Sequence, residues 1–299
     1  MEKIICKETS VYAMSKDNPP VCRAKPGETL VFESFDCMGG QITCEENGVG
    51  GLDWDAINPA SGPVYVEGAE PGDALKVEVL QIELAPTGLL CALPGNGIFG
   101  DEVTEETVRI VPIRDGAVEF AKDLRLPLDP MIGVIGVAPA GEAVACGTPG
   151  PHGGNMDNTR IGPGAVLYLP VFQLGALLAM GDVHACMGDG EIMVSGVETA
   201  ARITVRIDLI KGVHLPTPVL ERGDKVYVIA SAPSLEKAIH DAARYMLELV
   251  RRSRQLSFNE AGMLLSAVGD AQVCQIVDPQ VTARYALPRW ILKEGNPVG

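Results

Sequence analysis

The sequence predicts a mainly β protein with an α+β C-terminal part, its body a β-sandwich or barrel-like assembly. Three observations carry this. Leu75, Val77 and Val79 alternate with Lys76 and Glu78, and Ile203, Val205, Ile207 and Leu209 alternate with Thr204, Arg206 and Asp208. Period-two alternation of this kind belongs to a half-buried strand. Gly accounts for 34 and Pro for 22 of the 299 residues, a density of turn formers that argues against a helical bundle. Beyond about residue 222 the apolar spacing changes to threes and fours, the period of a helix.

Taken in order, Val108 and Ile110 form another alternating strand, and Pro112, which cannot donate to a ladder, marks its end or an edge. Residues 131–138 and 165–172 are continuous apolar runs, as expected where both faces of a strand are covered. Residues 161–181 carry no charge, yet Pro163, Pro170, Gln173 and four glycines favour a buried strand pair with a tight connection over a membrane span. Ser234 caps a helix whose apolar face is Leu235, Ile239, Ala242, Met246 and Val250. Ser257 and Glu260 stand in capping-box spacing at the start of a second helix, Gly269 ends it, and residues 273–277 follow as a strand. The chain thus divides into a β-rich body over 1–222, expected to carry the active site, and a smaller α+β segment over 223–299.

Composition excludes several functions. With 39 acidic against 24 basic side chains, the net charge is −15, which repels a phosphate backbone and anionic membrane surfaces alike. The opening MEKIICKETS lacks the apolar core of a signal peptide. Eight cysteines without any CxxC pair read as free thiols, so a cytoplasmic location is expected.

Gly95, Gly97 and Gly100 spell a dinucleotide fingerprint, but an acidic stretch and a strand-like run follow instead of a helix, so this is a turn between strands. No serine sits in a G-x-S-x-G elbow. Cys186, two residues after His184, is a weak candidate nucleophile, since free cysteines are mostly buried hydrophobes. The densest chemistry is GDVHACMGDGEIMVSGVE, residues 181–198. If extended, it presents Asp182 with His184 on one side and Asp189 with Glu191 on another, and Gly188 and Gly190 permit a turn that folds the pairs together. Carboxylates with an imidazole suit a divalent metal or acid–base work. The loop PHGGNMDN contributes His152, Asn155 and Asp157, and FESFDCMGGQI contributes Asp36, an acid set among apolar residues. His214 and His240 lack such company, and His240 falls on the polar face of a helix.

Three segments, 61–82 (SGPVYVEGAEPGDALKVEVLQI), PHGGNMDN and 167–191 (LYLPVFQLGALLAMGDVHACMGDGE), resemble the acetamidase/formamidase family, as do INPASGP before them and LLSAVGDAQVCQIVDP near the end. The resemblance spans nearly the whole chain in the family's order of motifs. It departs at Cys186-Met187, where the family commonly has a small residue followed by Gln. It implies hydrolysis of formamide or acetamide to carboxylate and ammonia, a sandwich-like β core with an α+β end, and a homo-oligomer.

The resulting assignment has Asp36, Asp182 and His184 as metal ligands or groups close behind them, zinc being the first expectation and calcium or another divalent ion the alternatives. Asp182 also counts among the catalytic groups, Glu191 is the general base, and Asn155 recognises the amide or stabilises the oxyanion. A metal-free version assigns the oxyanion to backbone amides around Gly188 and Gly190. A hydrolase of another small C–N compound, carbamoyl or formyl-amine, and a non-catalytic small-molecule-binding β protein are the competing classes.

Overall fold

A computed structural model describes residues 3–295, 297 and 298. Two large sheets dominate it. One has nine strands in the order Lys3–Ile5, Thr29–Ser34, Ala201–Ile210, Ala74–Leu84, Val166–Pro170, Val219–Arg222, Lys225–Ala232, Val281–Pro288 and Asp270–Gln275. The other is built around Leu178–His184, which pairs with Met131–Gly136 along one edge and with Ala60–Val66 and Glu198–Thr199 along the other. Neither sheet closes on itself.

Inward side chains of both sheets share one core: Phe32, Val77, Ile203 and Val205 from the first, Val64, Ile132, Ile135, Leu178 and Val183 from the second. This is a sandwich, and it explains the two alternating segments, whose outward residues Lys76, Arg202 and Arg206 meet solvent. The uncharged stretch 161–181 does form two buried strands, but Val166–Pro170 joins the nine-stranded sheet and Leu178–His184 the other. They are not a pair, because the connection crosses between layers instead of turning within one.

Pro112 neither ends its strand nor lies at its end. Thr107–Arg114 runs through it, opposite Thr87 on one side. On the other side the neighbouring strand reaches only Ile113 and Arg114, so Pro112 sits just beyond the paired residues and costs no ladder bond there. The glycine run at 95–100 is a turn between the strands Thr87–Ala92 and Thr107–Arg114.

Two helices, α1 (Leu235–Arg254) and α2 (Phe258–Val268), cover the end of the nine-stranded sheet. Ser234 Oγ accepts from the Lys237 amide at the start of α1, and Ser257 with Glu260 forms a complete capping box on α2. Their buried face, including Ala242, Met246, Val250 and Leu265, packs on Val226, Val228 and Leu287 in a second core. The strand after α2 begins at Asp270 and ends at Gln275, earlier than the apolar pattern indicates. Residues 223–295 therefore extend the sheet of the body through the pairing of Val219–Arg222 with Lys225–Ala232. Among the described residues no helix is long and apolar enough to cross a membrane.

Candidate active site

The site lies where Leu178–His184 ends. Register does most of the placing: His184 stands directly opposite Glu198 on one neighbouring strand and Met131 on the other. Glu198 Oε2 lies 3.0 Å from His184 Nε2, while its Oε1 accepts from the Gly196 amide at 2.8 Å. Asp182 Oδ1 is 3.4 Å from the same imidazole nitrogen, and Asp157 Oδ1 and Glu191 Oε1 are each 4.0 Å away. Asp157 arrives from the opposite flank, on the turn that leaves strand Gly153–Asn155.

Glycines give these groups their room. A Cβ at residue 133 would lie 2.5 Å from Asp157 Oδ1 and 2.7 Å from Asp182 Oδ2, and one at residue 196 would lie 2.8 Å from His184 Nδ1. Asp157, Asp182 and Glu191 all adopt positive φ (41°, 52° and 51°), a region that non-glycine residues seldom occupy and that functional sites retain.

Glu191 is set by the C-terminal segment. The Gly190 amide donates to the Cys274 carbonyl at 2.7 Å and the Gly190 carbonyl accepts from Ile276 at 3.1 Å, clamping the loop. Gln275, fully buried, accepts from the Val277 and Asp278 amides, and so aims the next acid inward. Asp278 Oδ2 then accepts from Asn155 Nδ2 at 2.9 Å, which leaves Asn155 Oδ1 buried without a partner.

Of these groups, Asn155, Asp182, Glu191, Glu198 and Asp278 line a cavity of about 390 Å³ together with Cys37, while Asp157 and His184 are buried outside the lining. Burial raises Asp157, Glu191 and Asp278 well above the usual carboxylate range, with neighbouring acids adding to the effect, and pushes Glu198 up to about 7. Burial alone would lower His184, but the charges of Glu198 and Asp182 outweigh it and hold the imidazole well above its ordinary value. Both oxygens of Asp157, Asp182 Oδ1 and Glu198 Oε2 are buried without a hydrogen-bond partner. At this site two sets of described residues offer ligand atoms that lie within 4.8 Å of one another: Asp157, His184 and Glu191, and Cys37, Asp182 and Glu198.

Asp182, His184, Glu191 and Asn155 are thus brought together. Asp36 is not in either ligand set: its Oδ1 accepts from the Met38 and Gly40 amides at 2.9 and 3.1 Å, fixing its own turn, and it is the next residue, Cys37, whose thiol reaches the cluster. Asp189 does not face the same way as Glu191. The turn at Gly190 separates them, and Asp189 instead accepts from Thr159 Oγ1 and pairs with buried Arg284 at 2.5 Å. His152 is buried, lowered by burial to about 4, and outside the cavity lining. Cys186 lines a separate surface cavity with Met187, and burial raises its thiol. All eight cysteines are free. Asp278 closes the family-like segment LLSAVGDAQVCQIVDP, but apart from that resemblance its only signal is an acid before proline, close after a predicted strand.

The acetamidase/formamidase family model matches residues 13–148 and 140–293. The chain belongs to the acetamidase/formamidase family. A formamidase of Methylophilus methylotrophus is 28% identical in a 254-residue alignment that covers 65% of this chain and 62% of its own length. The chain therefore spans less than two thirds of that curated relative. Among solved structures, a predicted acetamidase/formamidase from Thermoanaerobacter tengcongensis superposes with a TM-score of 0.95 at 46% identity, over 97% of each chain. An acetamidase from Bacillus halodurans superposes with a TM-score of 0.94 at 45% identity, over 95% of this chain and 97% of its own. The family fold thus extends over both sheets and both helices, so this family member's acid–histidine cluster lies within matched structure.

Proposed function

We propose that this chain hydrolyses the C–N bond of primary amides to a carboxylate and ammonia, formamide and acetamide being the smallest members of its range, with a divalent cation at the acid–histidine cluster. One observation carries the reading. Four acids (Asp182, Glu191, Glu198 and Asp278) line one cavity with no Lys or Arg among the lining residues, and a single buried imidazole, His184, lies within 4.0 Å of Asp157, Asp182, Glu191 and Glu198. Unpaired buried carboxylates are costly, and a cation offsets that cost.

The donor set fits such an ion. Asp182 and His184, with Asp157 and Glu198 beside them and the Cys37 thiol within reach, would hold it. Mixed carboxylate, imidazole and thiol donors favour zinc over the oxygen-seeking calcium. When bound, it supplies Lewis-acid polarisation of the amide carbonyl and a lowered pKa for water.

The chain's own residues do the rest. Glu191, raised by burial and the charge of Asp157, is suited to take a proton at Oε1 and return it to the departing nitrogen. Asn155 is held by Asp278 with its carbonyl oxygen free, so it accepts from the substrate –NH2 rather than donating to an oxyanion. The metal-free alternative loses a donor, because the Gly190 amide is already committed to Cys274. Eight free thiols support a reducing, cytoplasmic setting.

The test is ammonia release from a panel of amides, urea and carbamates, before and after chelation, alongside metal analysis of the purified protein. Release from amides that is lost on chelation and returns with zinc is the expected result. No release from any amide, with zinc or calcium added, overturns the reading.

A further inference from the structure

The active-site cavity has two unlike halves. The floor carries Asp182, Glu191, Glu198 and Asp278, with His184 buried outside the lining. The rest of the lining is mostly apolar, with Tyr12, Met38, Trp54, Ile57, Leu93 and Val194, interrupted by Asn58, Asn96 and Thr148. Trp54 and Tyr12 remain 51% and 43% exposed, large rings left to solvent beside the floor. The only charge on the wall away from the floor is Asp55, and no Lys, Arg or His lines any part of the cavity.

The Trp54 wall is built rather than incidental. Trp54 opens a short 3-10 turn capped by Asp53, whose Oδ1 accepts from the Asp55 amide at 3.1 Å. Gln41 then fastens that turn from both directions: its Oε1 accepts from the Asp53 amide at 2.9 Å and its Nε2 donates to the Asp53 carbonyl at 3.2 Å. Gln41 thus fixes the backbone turn that carries the exposed indole into the cavity lining.

Size points the same way. Cavities of about 300 Å³ and more enclose drug-sized ligands, whereas acetamide has four heavy atoms. At about 390 Å³ the cavity leaves its apolar half unfilled by formamide or acetamide. The acidic floor, Asp55 and the absence of a lining cation disfavour a carboxylate on the substrate.

We infer that the preferred substrate is a primary amide whose acyl group is uncharged, apolar and longer than acetyl, seated on Trp54, Tyr12, Ile57 and Leu93 with its carboxamide at the floor. This rests on the hydrolytic reading and names its substrate class. Each methylene buried on that wall is worth about fourfold in affinity, and the open mouth trims the total.

The experiment is a series of formamide, acetamide, butyramide and hexanamide, with succinamate as a charged member of similar length, measured on the metal-loaded protein. Expected is a rise in kcat/KM of about tenfold or more from acetamide to hexanamide, mostly through KM, with succinamate below acetamide. Trp54→Ala should collapse the hexanamide-to-formamide ratio by about tenfold. Binding of the same amides by calorimetry reads the preference independently of turnover. If no amide is hydrolysed, the hydrolytic reading fails, and the binding series still decides the acyl preference. A kcat/KM or affinity that is flat or falls beyond acetamide overturns the inference, as does a Trp54→Ala ratio equal to the parent's.

Discussion

Gly133 faces Asp182 across adjacent strands with no room for a methyl group between them. A Cβ there would lie 2.7 Å from Asp182 Oδ2, 2.5 Å from Asp157 Oδ1 and 3.0 Å from the Asp182 carbonyl. The ladder pairs Ile132 with Val183 and Val134 with Gly181, leaving Gly133 and Asp182 as the unpaired step between. Gly133→Ala is expected to push the two carboxylates apart. Displacements near 1 Å cost on the order of a hundredfold in rate, and overpacking costs about 1–3 kcal/mol of stability. Circular dichroism should report an intact β fold, while metal content and ammonia release both fall. Full metal and full rate in a folded variant would show that this close approach does not shape the site.

Role and location separate at Glu191 and His184. Glu191→Gln keeps volume and hydrogen bonding but removes the proton acceptor, so turnover should drop by about a hundredfold or more with bound metal nearly unchanged. His184→Ala should lose metal and activity together, with partial recovery in excess zinc. Metal content plotted against rate for both variants decides. The reverse pattern, metal lost from Glu191→Gln and kept in His184→Ala, would assign Glu191 as a ligand with Asp157, since those atoms lie within ligating reach of each other.

What the sequence reveals is what is local. Asp182 and His184 share one strand, and Glu198 follows a short loop, so one string of residues exposes them together. Alternation likewise exposes the strands Ala74–Leu84 and Ala201–Ile210, because each has one wet and one dry face. Pairing is not local. Nothing in residues 161–181 says that its strands enter different sheets, since a strand buried on both faces reads alike in either layer. Asp278 comes from a segment that reaches the site only after the last strands dock, and its aim depends on Gln275, whose role no pattern announces. Asp36 is legible for a related reason: an acid among apolar residues signals an inward position, and here the backbone amides of its own turn hold one of its oxygens.

Asp189 acts at a distance from the chemistry. It pairs with Arg284, which is fully buried and also donates to Gln272 at 2.7 Å and Asn158 at 2.8 Å. Removing one partner of a buried pair leaves an uncompensated charge. Asp189 is 37% exposed, so the loss is smaller than for a fully dry pair. Asp189→Ala should cost about 2 kcal/mol, and adding Arg284→Met should return part of it. Because Glu191 lies two residues on, kcat should fall as well. Denaturant unfolding of the single and double variants measures the first effect. A double variant no more stable than Asp189→Ala would remove Arg284 as the cause.

His152 ties acid sensitivity to a residue outside the cavity. Burial lowers it from 6.5 to about 4. Between those values the unfolded chain binds a proton that the native chain does not. Unfolding free energy therefore rises with pH through this window, and the contribution is complete above pH 6.5 and lost as pH falls towards 4. The difference amounts to about 3 kcal/mol. Glu198 runs the other way. Raised from 4.5 to about 7, it makes the native chain bind more protons than the unfolded one, so its contribution falls as pH rises through that range. The two partly cancel in the parent protein, and the informative quantity is a difference. Parent and His152→Leu should be unfolded in denaturant at pH 7 and near pH 4, with chelator present in both. The parent should lose about 3 kcal/mol more than the variant on acidification. Equal losses in the two proteins would mean that His152 is protonated without cost in the folded chain, and that the acid transition belongs to other groups.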